Sequence, residues 1–175
     1  MMTTIGVSVS IPQPWGDFLQ RQREDFGDPL ASAVPAHVTL MPPTDVSESL
    51  RPLFEEHLER VASAHAPFEM VLRGTGTFRP TSPVVFVQVA KGIPSCERLE
   101  SHVRSGPVPR PLEFNYHPHV TVAHAVSEEA LDSAFNRLAD FEAAFVVDAV
   151  HLYEHGDDGV WRPCRRFALV GAAAG

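Results

Sequence analysis

The tripeptide His-Val-Thr occurs twice in this chain, at residues 37–39 and, 82 residues later, at residues 119–121. Each copy runs into an apolar residue, Leu40 or Val122. Because side chains alternate between the two faces of a β-strand, each copy would place its histidine and threonine on one face and its two apolar residues on the other. Each copy therefore predicts a proton-transfer group beside a hydroxyl, on a strand whose other face is buried.

Two histidines that face each other suit a displacement at phosphorus in which a hydroxyl group leaves. Imidazole has an ordinary pKa of about 6.5, so a neutral ring can accept a proton from attacking water while a protonated ring donates one to the leaving oxygen. This chemistry needs no metal and no cofactor. The hydroxyls of Thr39 and Thr121 can hydrogen-bond the non-bridging phosphate oxygens and hold the phosphorus in line between the rings.

The elements that would position the two copies also occur twice. Hydrophobic periodicity predicts the order strand, helix, His-Val-Thr strand, helix and strand, first over residues 4–83 and again over residues 84–171. A duplicated unit folds naturally as two lobes about a pseudo-twofold axis, which would bring His37 and His119 to opposite sides of one cleft. We predict a single α+β domain over residues 1–175, with two lobes of mixed or antiparallel sheet and outer helices around this cleft.

Three local patterns make more specific structural predictions. An apolar stripe predicts a helix in the first repeat that buries Leu50, Leu53, Phe54, Leu58, Val61 and Ala62. Ser127 is predicted to cap the helix that follows the second His-Val-Thr strand. Near the end of the chain, alternating apolar residues predict one strand from Ala144 to Tyr153 and another from Trp161 to Val170.

Size, composition and charge limit the classes of function. The chain has 175 residues, of which 44% are hydrophobic and 21% are charged, as in an ordinary globular domain. A formal net charge of -8 argues against a protein that coats long nucleic acid, whereas a small phosphorylated substrate or an RNA end needs only a local cationic site. The two cysteines and the absence of a signal-peptide pattern or membrane-length apolar run predict a cytoplasmic protein, which we expect to be a monomer.

The two motifs resemble those of the two-histidine (2H) phosphoesterases, also called the 2′-5′ RNA ligase-like or cyclic phosphodiesterase superfamily. They read His-Val-Thr-Leu-Met-Pro-Pro from His37 and Tyr-His-Pro-His-Val-Thr-Val-Ala from Tyr116. The resemblance extends over nearly the whole chain, including the closing segment with Tyr153, Trp161 and Phe167. It implies that His37 and His119 are catalytic and that Thr39 and Thr121 bind the substrate phosphate.

The resemblance also implies an activity. Members of the family open 2′,3′-cyclic phosphates, cleave or join 2′-5′ linked RNA, or trim RNA 3′ ends. The chain is therefore predicted to be a metal-independent phosphoesterase that acts on a nucleotide or an RNA end. One position departs from the family pattern: many relatives carry a basic residue, often arginine, five places after the second motif histidine, where this chain has His124. His124 remains a possible substrate contact whose charge depends on pH.

Further candidates for substrate contacts are weaker. Phe78 and Tyr116 can stack on a base, but a place in the hydrophobic core explains either ring equally well. His117 is predicted to lie on the rim of the cleft. Four arginines are candidates for contacts with a substrate's distal phosphates: Arg110, Arg162, Arg165 and Arg166. Solvated surface charge explains each of them at least as well.

Two other classes of function stay open at this point. A metal-dependent hydrolase or oxygenase can be built on His117, His119 and His124, because two histidines separated by one residue are a familiar ligand pair. A non-catalytic module that binds RNA ends would retain the cleft. A metal site would leave the duplicated threonine unexplained, and a module that only binds RNA ends would not need two titrating histidines.

Overall fold

The structure is a computed structural model, and it describes residues 1–172. Within this range the chain forms eight strands and four helices. The strands are β1 (Met2–Ser10), β2 (His37–Ser47), β3 (Phe68–Thr77), β4 (Val84–Lys91), β5 (His119–His124), β6 (Glu142–Val147), β7 (Ala149–His155) and β8 (Trp161–Ala168). The helices are α1 (Trp15–Asp25), α2 (Arg51–Ala64), α3 (Ile93–Arg104) and α4 (Glu128–Arg137). No helix within the described residues is long and apolar enough to cross a membrane.

The strands form two four-stranded sheets, and every described strand pair is antiparallel. The order is β2-β1-β7-β8 in the first sheet and β5-β4-β3-β6 in the second sheet. The two sheets correspond strand by strand, with a His-Val-Thr strand at one edge of each. The predicted α+β architecture with two related lobes is confirmed.

The sheets do not follow the boundary between the two sequence repeats. β3 lies in the first repeat but pairs with β4 and β6, whereas β7 and β8 lie in the second repeat and join β1. The prediction of one strand from Ala144 to Tyr153 is wrong, because the chain passes from the second sheet to the first at Asp148, between β6 and β7. Each sheet therefore contains strands from both repeats.

The predictions made for the helices are confirmed for the cap of α4 and only in part for the buried face of α2. Ser127 caps α4 as predicted, because its Oγ accepts a hydrogen bond from the N–H of Ala130 at 3.1 Å. In α2 the side chains of Phe54, Leu58, Val61 and Ala62 are buried as predicted. Leu50 and Leu53 are 39% and 50% exposed, so their predicted burial is wrong. Strand β2 runs on to Ser47, and Leu50 precedes the first residue of α2.

Both His-Val-Thr strands contain a β-bulge one residue after the threonine. In β2, Thr39 pairs with Ser8 and Met41 with Val7, which leaves Leu40 as the extra residue. In β5, Thr121 pairs with Phe86 and Ala123 with Val85, which leaves Val122 extra. A bulge of this kind shifts the alternation of side chains and increases the local twist. The residues beyond each threonine therefore change face.

Each His-Val-Thr strand is anchored by the loop that precedes the other one. Asp28, before β2, accepts a hydrogen bond from the backbone N–H of His124 at the end of β5, at 2.9 Å. Tyr116, before β5, donates its hydroxyl to the backbone carbonyl of Thr39 in β2, at 2.7 Å. In the same reciprocal way, α1 contacts β5 and α3 contacts β2. The two lobes are thus tied together directly behind the two motifs.

The hydrogen bonds that Asp28 accepts from His124 and Arg23 should contribute strongly to the free energy of unfolding. Its carboxylate also accepts from Nε of Arg23 at 2.7 Å, and the two side chains are 0% and 7% exposed. Asp28→Ala should lower the free energy of unfolding by about 3–5 kcal/mol, because the Arg23 guanidinium would stay buried without its partner. Urea denaturation provides the measurement, and Asp25→Ala is the control. Asp25 is 61% exposed and 3.9 Å from Arg137, so its loss should cost less than about 1 kcal/mol. Equal costs for the two variants would contradict this prediction.

Three histidines between α2 and α3 predict a loss of stability in weak acid. Nε2 of His57 lies 2.8 Å from the carbonyl of His102, and Nε2 of His65 lies 3.1 Å from Nδ1 of His102. Burial lowers the pKa of His65, and the charge of His102 lowers it further. Burial likewise lowers the pKa of His102, to which the charge of His57 adds. The folded chain therefore binds protons at His65 and His102 less readily than the unfolded chain does.

The sign of the pH effect follows from these shifts. Where the unfolded chain binds more protons, stability rises with pH, so the contribution of His65 and His102 is present above the ordinary pKa and is lost as the pH falls below about 6.5. The free energy of unfolding by urea should decline between about pH 7.5 and about pH 5.5. His102→Asn should flatten this decline, whereas the matched change His155→Asn, at an exposed position, should not. An unchanged slope in His102→Asn would contradict the assignment.

Candidate active site

His37 and His119 begin the two edge strands that face each other. β2 and β5 contact one another across the two sheets. Within its own sheet, His37 pairs with Ser10 of β1, and His119 pairs with Gln88 of β4. Val38 and Val120, the residues between histidine and threonine, are fully buried, whereas both histidines and both threonines are half-buried. The alternation predicted for each motif is thus present up to the threonine.

The two imidazoles are oriented in the same way by their own strands. Nδ1 of His37 lies 2.7 Å from the carbonyl of Pro35, and Nδ1 of His119 lies 2.6 Å from the carbonyl of His117. A carbonyl oxygen only accepts hydrogen bonds, so Nδ1 carries the proton in each neutral ring. Nε2 is consequently the nitrogen that gains and loses a proton, in both copies.

Burial lowers the pKa of both histidines below the ordinary value. For His37 the hydrogen bond to Pro35 opposes this effect, and the nearby charge of Arg23 adds to it. For His119 the hydrogen bond to the His117 carbonyl opposes the effect of burial, while the charges of His117 and His37 lower the pKa further.

The threonine hydroxyls are available beside the two rings. Thr39 lies on the same face of β2 as His37, and Thr121 lies on the same face of β5 as His119, because each is two residues along its strand. Within residues 1–172, neither Oγ1 is hydrogen-bonded to a protein group. A hydroxyl can donate one hydrogen bond to an incoming phosphate oxygen. The roles predicted for these four residues stay predictions.

An aromatic wall surrounds His119, formed by Phe78, Phe86 and His117. The ring centroids of Phe78 and Phe86 lie 5.0 and 5.1 Å from that of His119, and His117 lies 6.0 Å away in a stacked arrangement. Gly76 of β3 makes room for this wall, because a Cβ at that position would come within 2.6 Å of the Phe86 ring. The structure thus places Phe78 beside His119, and His117 is exposed at the edge of the group.

The structure places His124 and Tyr116 differently from each other. The bulge at Val122 puts His124 opposite Val84, on the face of the second sheet that also carries Phe86. Strict alternation from His119 would have placed His124 on the opposite face, and the consecutive apolar residues Val122 and Ala123 were the sequence signal for the shift. The hydroxyl of Tyr116 is taken up by the Thr39 carbonyl. Their contacts with a substrate stay predictions.

The first sheet carries a polar wall formed by Ser8, Ser10, His151, Tyr153 and Arg166, of which sequence reasoning had considered only Arg166 as a substrate contact. Ser8 pairs with Thr39 on one side and with His151 on the other, and His151 pairs with Arg166. Cross-strand partners share a face, so these side chains lie on the same face as the first motif. Ile5, Val7 and Val9 alternate along β1 and are buried, so the polar residues Ser8 and Ser10 at the other positions were the available sequence signal.

The proposed metal ligands show no metal-binding arrangement. Among the described residues 1–172, no group of three histidine, cysteine, aspartate or glutamate side chains is placed to hold a metal ion. The Nδ1 atom of His119 is occupied by the His117 carbonyl. His117, His119 and His124 therefore do not converge on a common point in this structure.

Comparison with known proteins agrees with this architecture. The model of the 2′-5′ RNA ligase superfamily matches residues 11–159. A candidate phosphoesterase of Halalkalibacterium halodurans is 25% identical over 166 residues, which cover 94% of this chain and 96% of that protein. A candidate phosphoesterase of Bacillus thuringiensis is 27% identical over 144 residues, covering 81% of this chain and 83% of the relative.

Solved structures with the same fold are more distant in sequence. TT0787 of Thermus thermophilus superimposes with a TM-score of 0.62 at 22% identity, over 96% of this chain and 98% of its own. LigT of E. coli complexed with 3′-AMP gives a TM-score of 0.63 at 18% identity, over 97% and 99% of the two chains. At these identities the likeness shows the fold, while the family match spans most of the chain. The resemblance of the two motifs is confirmed: this chain belongs to the 2′-5′ RNA ligase superfamily of 2H phosphoesterases.

Proposed function

We propose that this protein is a metal-independent phosphoesterase that opens a 2′,3′-cyclic phosphate or acts on a 2′-5′ phosphodiester of a nucleotide or RNA end. One observation carries the proposal: His37 and His119 lie on two contacting strands, and each has its Nδ1 fixed by a backbone carbonyl. Fixing Nδ1 in this way dedicates the Nε2 atom of each ring to proton transfer. Each ring is also accompanied by a threonine hydroxyl.

The proposed reaction moves one proton at each side of the phosphorus. A water oxygen attacks phosphorus while a neutral imidazole takes the water's proton at Nε2. The bond from phosphorus to the leaving ribose oxygen breaks, and the other imidazole, protonated, donates its Nε2 proton to that oxygen. Proton exchange with solvent restores the starting forms. The two copies have the same local construction, so either histidine can serve as base or as acid; in ligation an RNA 5′-hydroxyl would take the place of the attacking water, with the same two proton transfers.

The threonines act on the phosphate rather than on the protons. The hydroxyls of Thr39 and Thr121 donate hydrogen bonds to the negatively charged non-bridging oxygens and so hold the phosphorus between the two rings. Their location on the histidine face of each edge strand supports this role. Loss of either hydroxyl should weaken this hold without removing a proton-transfer group.

The substrate class follows from the walls of the cleft and from the relatives. Within the aromatic wall Phe78 is half-buried, whereas Phe86 is buried, so Phe78 is the phenylalanine on which a base can stack. LigT of E. coli has been crystallised with 3′-AMP, ATP and NADP+, all of them nucleotides. The net charge of -8 fits a small nucleotide or RNA end better than a long nucleic acid.

Activity should survive removal of metal and should show a pH optimum on the acidic side. Hydrolysis of 2′,3′-cyclic nucleotides and 2′-5′ dinucleotides should be unchanged in EDTA, because the imidazoles supply both proton transfers. Since burial lowers the pKa of both histidines, kcat/KM should follow a bell whose maximum lies below about pH 6.5. The profile of kcat should lie at higher pH, because bound phosphate favours the imidazolium form.

Rival functions give different results in the same assays. Loss of activity in chelator, with recovery in zinc or manganese, would favour a metal-dependent hydrolase or oxygenase on His117, His119 and His124. Tight binding of nucleotides with no turnover of any substrate in the panel would favour a non-catalytic RNA-end binding module. Protein purified without an affinity tag is needed, so that a tag does not introduce metal.

Substitutions should separate proton transfer from phosphate binding. His37→Ala and His119→Ala should each reduce kcat by about 10²–10⁴-fold, and the double variant should be little worse, because the two groups act as a unit. Thr39→Ala and Thr121→Ala should each cost about 1–3 kcal/mol of transition-state stabilisation. Threonine to serine at either position should keep most activity, since the hydroxyl remains.

His117→Ala is the matched control for these variants. It removes an exposed imidazole but keeps the backbone carbonyl that holds Nδ1 of His119. Its kcat at the optimum should change little. The limb of the pH profile set by His119 should move to higher pH, because the charge of His117 lowers the pKa of His119. If His117→Ala proved as damaging as His119→Ala while His37→Ala stayed active, the two-motif mechanism would be wrong.

A further inference from the structure

The polar wall of the first sheet is not used by the reaction proposed above. A row of cross-strand partners leads away from the first motif, from Thr39 through Ser8 and His151 to Arg166. The Oγ of Ser10 lies 3.2 Å from Nδ1 of His151 and 3.1 Å from the hydroxyl of Tyr153. Ser8 is 6% exposed, and its cross-strand partner His151 is half-buried. The wall thus carries hydrogen-bond donors beside the predicted phosphate site.

The second sheet shows that the fold does not require such a wall. Its residues at the corresponding places are Phe86, which pairs with Thr121 as Ser8 pairs with Thr39, and Gly76, which pairs with Phe86 as His151 pairs with Ser8. The same strand positions therefore carry an aromatic ring and a glycine on one side and two polar side chains, Ser8 and His151, on the other. The two halves share their motifs and differ in what lies next to them.

We propose that His151 and Arg166 bind a second phosphate of the substrate, one nucleotide to the 5′ side of the reacting phosphorus. This inference rests on the proposed function of the same cleft. A nucleotide would place its base against the aromatic wall around His119 and its 5′ phosphate against the polar wall beyond Thr39. The ligand chemistry is a phosphate group carried either by a free nucleotide or by the preceding linkage of an RNA strand.

The spacing of the sheet suits this arrangement. Neighbouring strands lie about 4.8 Å apart, so β7, which carries His151, is about 9.6 Å from β2, which carries Thr39. Arg166 lies one strand further out, and its long side chain can reach back over His151. One ribose with its two phosphates spans the interval between the two proposed binding points.

Arg166 is the arginine of β8 with the appropriate surroundings. Its Nη2 lies 3.3 Å from Asp148, a carboxylate that is 69% exposed, and the other N–H groups of the guanidinium remain for a phosphate. Arg165 points to the opposite face, where it bonds Glu55 and Glu59 of α2 and covers Phe167. Arg162 is held in the β7–β8 turn by Asp158.

His151 is positioned to act together with Arg166. Its Nδ1 is next to the Ser10 hydroxyl, which leaves Nε2 for a ligand. Burial lowers the pKa of His151, the charge of Arg166 lowers it further, and Asp148 raises it, so all three groups share one electrostatic environment. A bound phosphate would replace Asp148 as the anionic partner of Arg166 and would favour protonation of His151.

Binding of product-like nucleotides tests the second phosphate separately from turnover. Isothermal titration calorimetry on the full chain would compare adenosine 3′-phosphate, adenosine 3′,5′-bisphosphate and a diadenylate with a 3′-phosphate. The bisphosphate should bind about tenfold more tightly than the monophosphate, because it adds charge-assisted hydrogen bonds. Arg166→Gln and His151→Gln should each reduce this ratio to about threefold or less. Arg165→Gln removes the same charge from the other face and should keep the wild-type ratio.

The outcomes separate this inference from the proposed function. A monophosphate that binds while the bisphosphate binds no more tightly would overturn the second site and leave the first intact. A ratio unchanged in both Arg166→Gln and His151→Gln, or equally reduced in Arg165→Gln, would also overturn it. If no nucleotide binds and no cyclic phosphate is hydrolysed, both proposals fail. A gain shown by the bisphosphate alone assigns the site to a terminal phosphate, and an equal gain shown by the diadenylate assigns it to an RNA linkage.

Discussion

Two edge strands carry the candidate catalytic groups, and an edge strand has only one neighbour within its own sheet. Their relative position therefore depends on contacts that cross between the sheets. The carboxylate of Asp28 holds the end of β5, and the hydroxyl of Tyr116 holds β2 near its start, at Thr39. Because each brace starts in the loop before the other motif, both loops are needed to place either strand. Asp28 can occupy this buried place because Arg23 neutralises it.

The similarity of the two motifs includes the hydrogen bond that orients each imidazole ring. In both copies a backbone carbonyl two residues before the histidine accepts from Nδ1. A proline lies at this point in both copies: Pro35 is itself the acceptor in the first, and Pro118 directly follows the acceptor His117 in the second. The ring orientation is thus a property of the strand entry, and each half of the molecule brings its own oriented base or acid. The hydrogen bonds of Asp28 and Tyr116 then determine only how the two strands, with their histidines already oriented, lie relative to each other.

Symmetry of the motifs is combined with asymmetry of their surroundings. Around His119 the neighbours are aromatic, whereas around His37 they are hydroxyls, His151 and, further out, Arg166. Such a cleft places a histidine and a threonine on each side of the phosphorus, and it binds the rest of a nucleotide in a single orientation. Substrate orientation in this proposal comes from residues that lie beside the two His-Val-Thr motifs, and the chemistry comes from the motifs themselves.

By itself the sequence determined the two motifs, the α+β class and most of the strands and helices, because these depend on local periodicity and on residue type. It determined that His37 and Thr39 share a face, as do His119 and Thr121. Tertiary structure alone decided that β3 leaves its repeat to pair with β4, and that the chain changes sheet at Asp148, since strand pairing depends on contacts distant in sequence. It also decided which face His124 occupies, through a bulge, and which of the β8 arginines lies beside His151, through the register of β7 and β8.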